Sequence, residues 1–387
     1  MDIQSLVVGV EDYLQQHQTR YLDELRTICA IDSDSHNKAG VDQMAIYLAA
    51  RMDSLGMDAT IVEQEQWGND LIGTLQGEGE GCVLLLGHMD TVYPIGTAAR
   101  RPMRIENGIA YGPAVIDMKG GILLSIYAIE ALLALSYHAF GEIRFLCVSD
   151  EEISVRHSLQ LIRHACEGCN GALVLEAARA NGDIVSARKG NAWYTLTAQG
   201  RSAHAGVEPE KGRNAILEIA HQTLQITSIN GWREGISINP GSISGGTAPN
   251  VVPESAMARF DLRFLHTEDR LATETRWHEL LKKHCVAEVE TTLMLEPDSR
   301  NPMVLTPASQ KMATTAKDIA AILGFSLRDT TTGGASDGSF VTDYGIPTLD
   351  GLGPIGGRDH SPYEYLLLDS IAPRAALLAG LIAHIAA

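Results

Sequence analysis

The chain has 387 residues, 45% of them hydrophobic, enough to bury a core divided over two domains. Its formal net charge of -18 at pH 7 argues against nucleic acid as a partner, because phosphate binding rests on Lys and Arg. The longest apolar stretches read as strand-length or amphipathic, which leaves no membrane span.

The N-terminal Met1-Asp2-Ile3-Gln4-Ser5 has no basic segment, and Glu11 and Asp12 interrupt the apolar run behind it, unlike a secretory signal. Apolar positions at helical spacing through Leu22, Leu25, Ile28 and Cys29 predict a helix over residues 3–30, and a second runs over Val41–Leu55. Strands follow near Asp58–Val62, Leu71–Leu75 and Val83–Leu86. Gly120–Leu135 reads as a buried helix, and strands at Glu142–Val148 and Ala172–Leu175 flank a helix near Ser158–Cys166. This alternation predicts an α/β fold, a mixed and mostly parallel sheet flanked by helices. After Lys189-Gly190 the pattern changes. Ala192–Ala198, Ser237–Ser244 and Met257–Phe264 read as strands, Asn214–Thr227 and Glu268–His284 as helices, up to Arg300-Asn301-Pro302. We expect a smaller α+β domain over residues 189–301, inserted between catalytic segments 1–188 and 302–387. Ser309–Leu323 is then a helix, Gly345–Leu349 a strand, and the last helix starts with Asp369 as its N-cap.

Polar residues with ligand chemistry stand at the ends of apolar runs. Val83–Gly87 leads into His88 and Asp90, Gly112–Ile116 into Asp117, Phe145–Ser149 into Asp150, Glu151 and Glu152, and Leu173–Leu175 into Glu176. A glycine-rich loop near the C-terminus holds His360. In open α/β sheets ligands bind outside the carboxyl ends of the strands. Imidazoles and carboxylates gathered there are the ligand types of zinc or a similar divalent ion. Taken singly, each has a plainer role: His88 a satisfied core histidine, Asp117 a turn residue, Glu151-Glu152 a helix N-terminus that favours acids. Taken together they predict a metalloenzyme. On an extended segment Glu151 and Glu152 point to opposite sides, so one is expected to ligate and the other to shuttle protons. Asp90, two residues beyond His88 on the same face, is placed to hold the second imidazole nitrogen.

Gly87-His88-Met89-Asp90-Thr91-Val92, Asp117-Met118-Lys119-Gly120-Gly121 after Gly112-Pro113, Ser149-Asp150-Glu151-Glu152, and Gly357 with His360-Ser361 form one ordered set. It resembles the motifs of the di-zinc metallopeptidase family of glutamate carboxypeptidase, acetylornithine deacetylase, succinyl-diaminopimelate desuccinylase and related aminoacylases. The resemblance runs from about Leu22 to the C-terminus. Gly333-Gly334-Ala335-Ser336-Asp337-Gly338 with Gly351-Leu352-Gly353-Pro354 is most similar to the glutamate carboxypeptidase-like branch.

The resemblance implies a di-zinc exopeptidase fold interrupted by a lid and dimerisation domain. It implies two divalent ions per chain, Zn2+ or in its place Co2+ or Mn2+. Asp117 would bridge them, His88 and Glu176 completing one shell, Glu152 and His360 the other. Glu151 would be the general base, Asp90 would orient His88, and Asp117-Met118 would be a cis peptide. Gly200–Gly206 resembles the lid motif, in which the histidine, here His204, reaches the partner subunit's active site and helps hold the oxyanion. Asn250 and Arg263 match lid positions that would hold the substrate's free carboxylate, with Gly334 in the adjoining specificity loop. On the residues alone His204 is a loop histidine and Arg263 a strand-end surface charge.

The function implied is metal-dependent hydrolysis of an amide or peptide bond by a homodimer, releasing a free amino acid in the manner of a glutamate carboxypeptidase. The alternatives are an N-acyl amino acid deacylase of the acetylornithine deacetylase or desuccinylase type, and an inactive metal-binding dimerisation module. Three departures stand out. Ala114 occupies a usual glycine position, Ile153–Ser158 lacks the usual glycine-serine pair, and Arg358-Asp359 puts charge beside His360. His157 reads as helix surface. The cysteines Cys29, Cys82, Cys147, Cys166, Cys169 and Cys285 are scattered and read as buried thiols of a reducing compartment, hence the cytoplasm. Cys166-Glu167-Gly168-Cys169 has no second pair at zinc spacing and reads as a helix-end turn.

Overall fold

The computed structural model of the chain describes residues 1–154 and 157–387, which form two compact units. Unit one comprises Met1–Ala187, Leu305–Thr332 and Ser336–Ala387, and unit two Arg188–Val304 with Gly333–Ala335.

Unit one opens with helices α1 (Ile3–Cys29) and α2 (Lys38–Asp53) and strands β1 (Asp58–Val62), β2 (Asp70–Gln76) and β3 (Cys82–His88). Next come helix α3 (Thr97–Arg100), strands β4 (Arg104–Glu106) and β5 (Ile109–Tyr111), helix α4 (Lys119–Ala134) and strand β6 (Glu142–Val148). Helix α5 (Leu159–Cys166), β7 (Gly171–Val174) and β8 (Ile184–Arg188) follow. The chain then builds β9 (Gly190–Gln199), α6 (Ala215–Thr227), β10 (Ser237–Gly245), β11 (Ser255–Phe264), α7 (Thr267–Leu281) and β12 (Glu290–Leu295) of unit two. It closes unit one with α8 (Pro307–Ile322), β13 (Asp329–Thr332), α9 (Gly338–Asp343), β14 (Thr348–Leu349), β15 (Gly356–Gly357), β16 (Tyr365–Leu367) and α10 (Ile371–Ile385).

The main sheet has the order β1-β2-β6-β3-β7-β14. Strands β6, β3, β7 and β14 are parallel, and β2 and β1 join antiparallel at one side. The apolar run of β3 is buried on both faces, as a central parallel strand requires. Val83 and Leu85 pack in the cluster that holds α1, α4 and α10, while Leu84 and Leu86 pack with Ile162 and Ala165 of α5 and Val341 of α9. Because the parallel strands share one direction, the residues that follow them emerge on one edge.

Two expectations for the C-terminal segment need correction. Asp369 does not cap the last helix: Leu368–Ser370 form a 3-10 turn, and Ser370 precedes α10. The segment Leu368–Ile385 is also long and apolar enough to cross a membrane, which the sequence reading overlooked. It is 78% buried, so its apolar surface is used as a core helix of unit one.

Unit two is a four-stranded antiparallel sheet, β10-β11-β9-β12. Strict alternation along β11 buries Ala258, Phe260, Leu262 and Phe264 with Ile219 and Ile226 of α6 and Trp277 and Leu281 of α7.

Candidate metal centre

Most of the centre comes from the carboxyl ends of parallel strands. β3 ends on His88, the chain after β6 turns through Asp150, Glu151 and Glu152, and Glu176 lies just beyond β7. Asp117 lies between β5 and α4, and His360 between β15 and β16.

Asp117 is the hub. Its Oδ1 lies 3.1 Å from His88 Nε2, and its Oδ2 lies 2.9 Å from His360 Nε2. Glu176 Oε1 is 3.7 Å from the same His88 nitrogen, and Glu152 Oε2 is 3.3 Å from the same His360 nitrogen. Each Asp117 oxygen therefore faces its own imidazole–carboxylate pair. The Asp117-Met118 peptide is cis.

The charge balance tests whether cations fit here. Burial, then the neighbouring Asp117 charge, pushes Glu152 up to about 7 and Glu176 well above the carboxylate range. Burial pushes the His88 imidazole down, but hydrogen bonds to Asp117 and Asp90 outweigh it and hold His88 well above its ordinary value. Hydrogen bonds to Asp117 and Glu152 raise His360 to about 11. Protons thus offset a crowd of carboxylates that divalent cations would neutralise instead. The all-N and O donor set suits zinc or a similar ion, and the two-sided Asp117 suits a pair. The residues fit a two-ion centre. Ion binding must displace the imidazole protons, so affinity is expected to weaken as pH falls. Titration calorimetry in buffers of different ionisation enthalpy should show proton release on loading; a pH-independent affinity would sink this account.

Asp90 is fully buried and acts on two neighbours. Its main-chain oxygen is 3.0 Å and its Oδ1 3.3 Å from His88 Nδ1. The carboxylate also accepts the main-chain N–H groups of Glu151 and Glu152, each at 3.2 Å, and the Ser35 hydroxyl at 2.6 Å. One side chain thereby orients the imidazole and the turn bearing both glutamates. That turn corrects the extended geometry expected of Glu151-Glu152. Glu151–Ile153 is a 3-10 turn, closed by Ser154 in the left-handed region at φ 76°.

His157 is not surface, as the sequence suggested. Its Nδ1 lies 2.9 Å from Oδ2 of the buried Asp150, and its ring stacks on Trp67 at 5.8 Å. Asp70, Asp150 and His157 offer ligand-type atoms within 4.8 Å of one another. Asp70 Oδ1, however, already accepts from Ser149 N, Ser149 Oγ and Ser158 Oγ, so this cluster ties the start of α5 to the sheet. Val155 and Arg156, within the stretch lacking the glycine-serine pair, lie outside the described residues.

Glu364 carried no motif, and sequence reasoning missed it. The signal was slight: an acid directly before the apolar Tyr365–Leu367. It is 1% exposed and accepts the N–H groups of Ala114 at 3.0 Å, Ile116 at 2.9 Å and Asp117 at 3.1 Å, and the Tyr93 hydroxyl. It thus clamps the backbone that delivers Asp117. Ala114, at a usual glycine position, takes φ 57° there, which costs a β-carbon about 1–2 kcal/mol. Glu364→Ala should leave these donors unsatisfied and cost about 3–5 kcal/mol in urea unfolding. Glu364→Gln, which keeps an acceptor oxygen, should lose less; equal losses would mean the side chain only fills space.

The motif glycines have a packing cause. A β-carbon on Gly121 would fall 2.1 Å from Leu175 O, and one on Gly353 2.6 Å from the same oxygen. The backbone entering Glu176 is therefore flanked by two residues that must lack side chains. Arg374, buried in α10 and also missed from sequence, fixes this arrangement by donating to Gly353 O at 3.0 Å and to Gly351 O.

The remaining site candidates belong to unit two. His204 is exposed, accepts Gly206 N–H on Nδ1 at 3.1 Å, and bridges to Val251. Asn250 is exposed and accepts Ala205 N–H on its main-chain carbonyl at 3.0 Å. Arg263 donates to Asp261 Oδ2 at 2.9 Å and to Gly333 O at 3.3 Å. Exposed Gly334 accepts from Arg188, the buried arginine at the end of β8, at 3.1 Å.

Comparison with known proteins agrees with this geometry. The model of peptidase family M20/M25/M40 matches residues 84–384. Carboxypeptidase G2 of Pseudomonas sp. (strain RS-16) is 27% identical over 378 residues, covering 96% of this chain and 90% of that protein. A succinyl-diaminopimelate desuccinylase of Dechloromonas aromatica is 29% identical over 355 residues, covering 85% and 90%. Among solved structures, a tripeptidase of Staphylococcus aureus superposes with a TM-score of 0.81 at 21% identity, covering 95% and 98% of the two chains. An M20 metallo-carboxypeptidase of Sulfolobus solfataricus gives 0.75 at 16%, covering 94% and 98%. The chain belongs to peptidase family M20/M25/M40 and is a metal-dependent enzyme that hydrolyses amide bonds.

Proposed function

We propose that the enzyme is an exopeptidase of the glutamate carboxypeptidase type, releasing a free amino acid from a small peptide or N-acyl amino acid. The observation that carries this is Asp117, whose two oxygens each face a separate imidazole–carboxylate pair beside the turn bearing Glu151. The near full-length similarity to carboxypeptidase G2 supports a carboxypeptidase. The resemblance of Gly333–Gly338 and Gly351–Pro354 to the glutamate carboxypeptidase-like branch supports glutamate as the amino acid released. A second reading, deacylation of an N-acetyl or N-succinyl amino acid, is supported by the similarity to desuccinylases.

His88 and Glu176 would hold one divalent ion, Glu152 and His360 the other, with Asp117 between; we take both to be zinc. When bound, the ions supply Lewis acidity toward the attacking water and the scissile carbonyl. Glu151 takes a proton from that water and returns it to the departing amine nitrogen as the C–N bond breaks. Asp90 keeps both His88 and the Glu151 turn in place. We assign His204, from the partner subunit, to the developing oxyanion, and Asn250 and Arg263, beside the Gly334 segment, to the substrate's free carboxylate.

A homodimer through unit two belongs to this reading. β10 is an exposed edge strand, and α6 exposes Leu217 and Leu224 to 58% and 72%, two turns apart on one face. Leu224→Glu is expected to shift the protein from dimer to monomer in light scattering. A parent protein already monomeric at micromolar concentration would remove both the dimer and His204 acting in trans.

The direct test is amine release from N-acyl-glutamates, N-acetyl-ornithine, N-succinyl amino acids and dipeptides by the zinc-loaded protein. Hydrolysis confined to glutamate conjugates is the expected result. Hydrolysis confined to acetyl or succinyl substrates would replace it with the deacylase reading. No turnover on any member, with ions demonstrably bound, would overturn both.

A further inference from the structure

Cys82 opens β3, the strand that ends on His88, and Cys169 lies just before β7, which leads to Glu176. Both thiols sit on the sheet face covered by α5, at the end away from the metal centre, in residues that are each 8% exposed. Their Sγ atoms are 3.0 Å apart. The backbone fixes that approach: Asn170 N–H donates to Cys82 O at 2.7 Å, and Cys82 N–H donates to Asn170 Oδ1 at 2.8 Å. Arg144, on the adjacent β6, brings its guanidinium to 3.8 Å from Cys169 Sγ while bonding Glu142 and the carbonyls of Ala165 and Glu167.

The Cys166-Glu167-Gly168-Cys169 motif is resolved by the same geometry. α5 ends on Cys166, Gly168 turns the chain at φ 78°, and Cys169 N–H donates to Cys166 O at 3.1 Å. That is a helix-end turn, and the sulfur facing Cys169 is Cys82, distant in sequence. The surroundings are also asymmetric. The Arg144 guanidinium lies 3.8 Å from Cys169 Sγ, and the hydrogen bond shared with Cys82 holds the Cys169 thiol below its ordinary value. A thiol beside a guanidinium and against a second thiol is the arrangement of an attacking and a resolving cysteine.

We propose that Cys82 and Cys169 form a reactive dithiol that closes to a disulfide when a low-molecular-weight disulfide is the oxidant. The Cys169 thiolate attacks one sulfur of oxidised glutathione, forming a mixed disulfide and expelling one glutathione thiolate. Cys82 gives up its proton and attacks Cys169 Sγ, and the second glutathione leaves. The two protein thiols are oxidised, one glutathione disulfide is reduced to two thiols, and the two S–H protons end on them. Closure needs the sulfurs to approach from 3.0 Å to about 2.05 Å. The bond would staple neighbouring strands at the end opposite His88 and Glu176.

The test uses the full chain, incubated with oxidised glutathione, alkylated and digested without reduction. The unsubstituted protein is expected to lose two free thiols and about 2 Da, and to yield one cross-linked peptide pair containing Cys82 and Cys169. Cys166→Ser should retain that cross-link, and Cys82→Ser should instead keep a glutathione adduct on Cys169. A Cys166–Cys169 cross-link, a lasting adduct on Cys169 of the unsubstituted protein, or no thiol loss would each overturn the proposal. The unsubstituted protein decides it even if a variant fails to fold.

Discussion

Asp117→Ala is expected to abolish the binding of both ions and reduce turnover to background. The side chain presents Oδ1 to His88 and Oδ2 to His360, so its removal damages two shells at once. What remains is His88 with Glu176 and His360 with Glu152, one imidazole and one carboxylate each. Zinc sites generally use three or more protein ligands, so neither remnant suffices. Glu176→Ala and His360→Ala each touch one pair only and should leave about one ion per chain. Elemental analysis after dialysis, with circular dichroism to verify folding, reads the difference. Two ions retained in Asp117→Ala would show that the hub is not shared. One ion lost in every variant alike would point to a single-ion centre.

The fold was legible where burial is two-sided. Val83–Leu86 and Phe145–Val148 are apolar at every position because helices cover both sheet faces, and that leaves an unmistakable run in the sequence. At the C-terminus the same signal was ambiguous, since apolarity alone does not distinguish a helix packed in protein from one long enough for lipid. Ligand residues were legible because they follow such runs directly. What supports them was not. The Glu151-Glu152 turn depends on N–H groups received by Asp90, the His157 environment on Asp150 and Trp67, and the Asp117 backbone on Glu364. Several of these partners are far apart in sequence, and one buried acid satisfying several N–H groups leaves no periodic trace. Ala114 and Ser154 show the opposite case. Both depart from an expected glycine pattern, and both adopt positive φ, so the departures mark backbone strain that Glu364 and Asp90 help hold. Spacing conveyed nothing about how His204, Asn250 and Arg263 would meet a substrate, because their roles depend on side-chain direction across loops.

Glu151→Ala is expected to lower kcat by about 10^3-fold while leaving two ions bound and KM little changed. The case rests on where the backbone holds Glu151. Its main-chain N–H is accepted by the same Asp90 that orients His88, in the turn that also bears Glu152. A carboxylate on that turn, beside the donor cluster, can carry protons, and its removal leaves Asp117, His88, Glu176, Glu152 and His360 in place. Glu151→Gln keeps the shape and loses the proton acceptor, so it should fall nearly as far as alanine. Glu151→Asp withdraws the carboxylate by one methylene and should fall less. The split identifies the role: loss of kcat with ions retained marks a proton carrier, whereas loss of an ion would make Glu151 a ligand. Full turnover in Glu151→Ala would require another group to take the proton. His157, already paired with Asp150 and stacked on Trp67, is poorly placed to substitute.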